Sequence, residues 1–143
     1  MKNDEIVEGI EINLHDAEVV SVSVKRLEKE ALIYLRAEDD AVYLLRLTAL
    51  KAFRCEDFVM QNVINRVRQS IFGDISLNDF DYWISWVTSV SDDKPWANSK
   101  TRSSWISDLS KKKINLLVLE PSVGASIVAI CEKVFFEKCS FLL

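Results

Sequence analysis

Residues 17–53 read AEVVSVSVKRLEKEALIYLRAEDDAVYLLRLTALKAF, three β-type runs separated by short charged segments. In the first run Val20, Val22 and Val24 alternate with Ser21, Ser23 and Lys25, a period of two that sends one row inward and one toward water. The second, Ala31–Leu35, is apolar on both faces. In the third, Tyr43, Leu45, Leu47 and Ala49 line one side, with Arg46 and Thr48 on the other. The connections Leu27–Glu30 and Glu38–Asp40 are too short for a parallel crossover, so the three runs predict an antiparallel meander.

Outward from this core the signals alternate between helix and strand. Across 58–71, Met60, Val63, Ile64, Val67 and Ile71 share one side of a helical wheel, with Asp57 as an N-cap, so periodicity favours a helix. A second helix is predicted from Leu77 to about Val90, with Ser76 as N-cap and Asp79 in the first turn, where a carboxylate suits the helix dipole. Its apolar stripe is Leu77, Phe80, Trp83, Ile84 and Val87; its wet side is Asn78, Asp81, Ser85 and Thr88. Tyr82 and Trp86 lie on the flank between, as either a wide core face or an exposed aromatic contact. Pro95 breaks this helix. A further helix covers about Lys100–Lys112, its end carrying Lys111, Lys112 and Lys113 beside the negative pole. Ile114–Leu119, a turn at Glu120–Gly124, and Ser126–Phe136 then read as a β-hairpin; helical spacing of Ile127, Ile130, Cys131 and Val134 leaves a helix as the other reading of the last run.

The expectation is an α+β fold, an antiparallel β-meander and a C-terminal β-hairpin packed against two or three helices, in one domain spanning residues 1–143. Composition agrees with a soluble globular chain: 49% hydrophobic and 28% charged, with three glycines and two prolines. No leader-like apolar segment and no run of about 18 apolar residues occurs, which points to a cytoplasmic protein with no membrane partner.

The formal charge is −4, and it is unevenly placed: residues 1–40 carry −6 and residues 41–143 carry +2. An acidic total argues against a nucleic-acid backbone as partner. The cysteines, at 55, 131 and 139, are odd in number and lack a CxxC spacing, and His15 is the sole histidine, so neither a zinc site nor a disulfide framework is indicated. His15-Asp16 lacks the further histidines of a metal phosphohydrolase, and neighbouring side chains diverge in a strand. Cys55 sits between Arg54, which would lower its pKa, and Glu56, which would raise it. The acidic pairs Asp39-Asp40, Glu56-Asp57 and Asp92-Asp93 fall in loops. No glycine-rich phosphate loop and no GxSxG elbow is present. The reading is a non-enzyme without cofactor or metal.

Three pieces carry a resemblance: LHDAEVVSV at 14–22; Phe58, Gln61, Asn62, Val63 and Ile64; and LEPSVGA at 119–125 followed by Ile127–Cys131. Together they resemble small bacterial immunity proteins of polymorphic toxin and contact-dependent growth inhibition systems. The resemblance implies a cytoplasmic protein that captures a cognate toxin domain, of nuclease type, and it implies an extended Gln61–Ile64 where the helical wheel implies a helix. It transfers no contact residues. From expected exposure, the candidate partner-binding residues are Asp39, Asp40, Asp79, Tyr82, Trp86, Asp92 and Asp93. A single-stranded nucleic-acid binder, using sheet aromatics and Arg66, Arg68 and Lys111–Lys113, is the alternative.

Overall fold

The computed structural model describes residues 7–90 and 94–141. Its strands are β1 (Val7–Glu8), β2 (Glu18–Lys25), β3 (Glu30–Arg36), β4 (Val42–Glu56), β5 (Val63–Gln69), β6 (Asn115–Val123) and β7 (Ser126–Lys138); its helices are α1 (Leu77–Val87) and α2 (Ser99–Ser110). The meander β2-β3-β4 pairs antiparallel as its alternation requires. Beyond it the expected architecture fails. Strands β2, β3, β4, β7, β6 and β5 close in that order into a six-stranded antiparallel barrel, and β1 adds to the free flank of β7. The fold is therefore a closed barrel carrying two helices, not a meander and a hairpin packed on helices.

The element that overturns the expectation is β5. Residues 63–69 are strand, paired along β6, with register shifts between Val63 and Ile64 and between Ile64 and Arg66. The first shift has its extra residue, Ser122, on β6; the second has its extra residue, Asn65, on β5, where it breaks the period of two. The inward row therefore runs Ile64, Val67, Gln69. A step of three between Ile64 and Val67 is also what a helix would show, and that is why the wheel misled.

The same effect recurs elsewhere. In β2 a bulge after Val19 makes Val19, not Val20, the buried residue; Val22 is half-buried and Val24 stands exposed at the barrel's end. In β4 Ala49 adopts a left-handed φ of 51° and a bulge follows between Leu50 and Ala52, so Leu50 takes the inward place expected of Ala49.

The interior is filled by side chains: Ile33, Leu35, Leu45, Leu47, Ile64, Leu119 and Ile127 are all at or below 2% exposure. Each such burial contributes about 1.5–3 kcal/mol. A second core lies outside the barrel, where Phe80, Ile84 and Val87 of α1 and Trp105 and Leu109 of α2 cover the outer faces of Ala52, Leu116, Val118, Val128 and Ile130. Thus α1 covers the β4-β7-β6 wall rather than the inner row of the meander. A wall buried on both faces needs no alternation, which explains the unbroken apolar runs in β6 and β7.

Smaller departures have local causes. Thr88, expected on the wet side, is fully buried with its hydroxyl donating to the Ile84 carbonyl; Leu77, expected in the stripe, is exposed. Pro121 lies within β6, so the turn contracts to the residues around Gly124. The lysine triplet follows α2 instead of ending it, with Lys111 as C-cap.

The barrel closes at one narrow seam. β2 meets β5 through a single residue pair, Glu18 with Val63. Asn62, 2% exposed, reinforces it: its Oδ1 accepts from the N–H groups of Val59 and Ala125, and its Nδ2 donates to the carbonyls of Val59 and Val19. Gly124, at φ 81°, packs so closely that a Cβ there would lie 2.4 Å from Asn62 Oδ1. Asn62→Ala leaves four backbone groups unserved and is expected to destabilise the fold by more than about 2 kcal/mol. Gly124→Ala is expected to destabilise it by about 1–3 kcal/mol through strain and collision. Leu27→Ala, at a position 89% exposed, should stay within about 0.5 kcal/mol. Urea denaturation of the three variants checks this.

Candidate functional site

The surface best suited to recognition is a groove of about 300 Å³ between α1 and the outer edge of β6 and β7. Tyr82, Trp83 and Trp86 form one wall. Val118, Glu120, Pro121, Ser126 and Val128 form the other, with Asn65 of β5 closing one end. Tyr82 and Trp86 are one turn apart, so they share a flank of the helix, and Trp83 fills the space between them. Its ring meets Tyr82 edge-on at 4.9 Å and Trp86 edge-on at 6.4 Å. Tyr82 is 61% exposed while both tryptophans are half-buried.

Two arginines hold this wall still, and a third is paired on the opposite side. Arg54, on the outer face of β4 with its side chain 10% exposed, donates from Nη1 to the Trp86 carbonyl at 2.6 Å and stacks 4.2 Å over the Trp86 ring. Its other branch pairs with Glu56. A guanidinium at the last turn of a helix also meets the negative end of the helix dipole. Arg102 of α2 bonds the carboxylate of Asp81 at 2.6 Å and the Ser85 hydroxyl, clamping α2 to α1. Arg68 pairs with Glu120 at 2.9 Å on the barrel side of the groove. Aromatic faces fixed in advance lose little freedom when a ligand binds.

The predicted residues are divided by the fold. Tyr82 and Trp86 line the groove, and Asp79 is exposed one turn before Tyr82, in the first turn of α1. Ser76 is the N-cap by position but its side chain makes no capping bond. Asp39 and Asp40 lie in the β3–β4 turn, where Asp39 Oδ1 accepts from the Ala41 N–H and Asp40 takes φ 65°. That turn adjoins the Lys138 end of β7, because Tyr43 pairs with Lys138. The groove reaches Ser126, at the other end of a strand of 13 residues, roughly 40 Å when extended. Asp39 and Asp40 therefore do not share a surface with Tyr82. Asp92 and Asp93 lie outside the described residues. Trp83 and Arg54 were missed as groove-forming: Trp83 read as core, and nothing local in the sequence signals that Arg54 reaches a helix 32 residues away.

Groups with catalytic potential lie elsewhere. His15 and Asp16 meet in an exposed turn, Nδ1 to Oδ2 3.2 Å; their side chains converge because Asp16 takes φ 66° instead of the strand geometry in which neighbours diverge. Cys55 points inward, opposite Arg54, and burial, then Asp57, then Glu56 push its thiol pKa up. Arg54 does not activate it. Among the described residues no group of three or more His, Cys, Asp and Glu is placed to hold a metal ion. No described helix is long and apolar enough to cross a membrane.

No protein-family model, curated protein or solved structure matches this chain.

Arg54→Ala is expected to lower stability by about 1.5–3 kcal/mol, since it removes charge-assisted bonds and leaves the Trp86 carbonyl without its partner. Tyr82→Ala should change it by no more than about 0.5 kcal/mol. Thermal and denaturant unfolding of the two variants separates frame from contact surface. Because a raised pKa lowers the thiolate fraction, Cys55 should alkylate more slowly than free cysteine at pH 8, and Asp57→Asn should speed it by removing a repelling charge. Peptide mapping after timed iodoacetamide exposure reads this site by site.

Proposed function

We propose that this protein is a capture protein without catalytic activity. It is an immunity protein that binds and neutralises a cognate toxin domain, of nuclease type, in the cytoplasm of the producing cell. The observation that carries the reading is the groove: one exposed aromatic ring, Tyr82, set edge-on against Trp83, which in turn meets Trp86, with the exposed carboxylate of Asp79 one turn earlier on α1. Anchors of protein–protein interfaces are enriched in such rigid aromatic side chains. The net charge of −4 favours a basic partner, as a nuclease substrate cleft is. The resemblance carried by residues 14–22, 58–64 and 119–131 supplies the toxin class.

A single-stranded nucleic-acid ligand is less well supported. No lysine or arginine lines the groove. Arg36, Arg46, Arg54, Arg68 and Arg102 are each engaged with a carboxylate, so their charge is already answered within the chain.

Co-expression with the toxin domain encoded beside it tests the proposal. The expected result is a purifiable complex and restored growth, with affinity reduced about 30-fold or more by Tyr82→Ala combined with Asp79→Asn. Asp39→Asn with Asp40→Asn should leave affinity unchanged, because those residues occupy another face. Failure to form a complex or to rescue growth overturns the reading.

A further inference from the structure

The narrow seam leaves part of the barrel wall open. β3 and β4 are joined by a tight hairpin in which the Ala37 N–H donates to the Ala41 carbonyl. In an antiparallel ladder such pairs alternate, so Ala37, Leu35, Ile33 and Ala31 direct their backbone groups toward β4, and Arg36, Tyr34, Leu32 and Glu30 direct theirs toward β2. Val22 is opposite Ile33 and Val24 is opposite Ala31. Their N–H and C=O groups therefore point away from β3, to the side where β5 would continue. The bond from the Val19 N–H to the Asn62 carbonyl on that side fixes the same phase. After Glu18–Val63, however, no strand follows, and no backbone group among the described residues answers Val22 or Val24 there.

A slot of about 350 Å³ lies along this edge, lined by Val20, Ser21, Val22, Cys55 and Phe58. Around it the surface is apolar: Val24, Phe58 and Val59 are about half exposed, and Met60 fully so. Asp57 is exposed beside Phe58, the residue that walls the slot opposite β2; with burial as the larger cause, its charge helps to raise the pKa of the Cys55 thiol. Edges of this kind are normally blocked by bulges, charges or cover, because a row of free N–H and C=O groups is a template for another strand.

We infer that the β2 edge at Val22–Val24 is a strand-addition site. It takes one extended segment of a partner protein, with apolar side chains alternating with polar ones and a basic residue that meets Asp57. The occupant is a single strand because Phe58 faces Val20–Val22 across the slot; a second copy of the chain would bring β3 behind its own β2 and need that space. Main-chain bonds to Val22 and Val24 supply register, and the pocket between Val22 and Cys55 receives one apolar side chain. The site is separate from the aromatic groove and holds whether or not the groove binds a toxin.

The test pans the full chain against a displayed library of about eight-residue peptides in which Val, Ile or Leu alternates with Thr or Lys. Enriched peptides carrying a lysine are expected. Their synthetic forms should slow amide exchange at Val22 and Val24 by at least about tenfold. Methylating alternate backbone nitrogens of the peptide should weaken binding at least about tenfold without touching the protein. Val24→Pro, at an exposed strand end, should do the same, and Tyr82→Ala should not. The inference is overturned if no peptide is enriched, if the methylated peptide or the Val24→Pro protein binds equally well, or if the same amides are protected by self-association of the chain alone.

Discussion

The seam around Asn62 holds the barrel shut. Every other strand pair in the wall is a ladder several residues long, whereas β2 and β5 meet at one pair. A barrel closed by so short a ladder needs another source of direction-specific bonding. Backbone bonds from Asp16 to Ile64, from Ile64 to Ala17 and from Val19 to Asn62 supply part of it, and the buried amide adds the rest, serving β2 through Val19, the β4–β5 connection through Val59, and the β6–β7 turn through Ala125. Gln69 does a similar service at the other end of β5, accepting from the Ile10 N–H and donating to the Ile10 carbonyl, as a further peptide group in a ladder would. A side-chain amide carries a donor and an acceptor, the same pair a backbone unit offers, so it can stand in where two strands diverge.

The three stretches that stand out in the sequence meet at this point. Ala17 and Val19 belong to the first, Asn62 and Ile64 to the second, and Gly124 and Ala125 to the third; each bonds or packs against another of the set. Their contacts are structural, between backbones and one amide. That accounts physically for why these pieces look like scaffold and carry no contact chemistry.

How much could be read in advance follows from how regular each strand is. The meander was legible because the first half of β4 keeps strict alternation and the connections on either side of β3 are too short for anything but antiparallel pairing. β5 was not, because a bulge at Asn65 converts a period of two into a step of three, which a helix shares. Closure itself rests on pairings such as Gln69 with Leu117 and Glu18 with Val63, and no local pattern encodes those partners. The site was half legible. Tyr82 and Trp86 stood out as flanking aromatics on a clear helix. That Trp86 is stacked and hydrogen-bonded by Arg54 depends on β4 bending at Ala49 and bulging after Leu50, events set by tertiary packing.

The aromatic groove and the open β2 edge share one tether. The segment from Glu56 to Asn62 begins at the partner of Arg54, which grips the end of α1, and finishes at the amide that closes the seam. Between these anchors lie Asp57, Phe58, Val59 and Met60, the residues that wall and flank the edge slot. Shortening this segment so that β5 ran on along β2 would lengthen the seam and bury Val22 and Val24 in a ladder, with no slot left. A regular barrel would thus gain hydrogen bonds and lose an edge. The chain instead keeps a long, apolar connection and closes the wall with a few backbone bonds around Asn62 and its amide, and the exposed Phe58 and Met60 are the physical consequence of that choice.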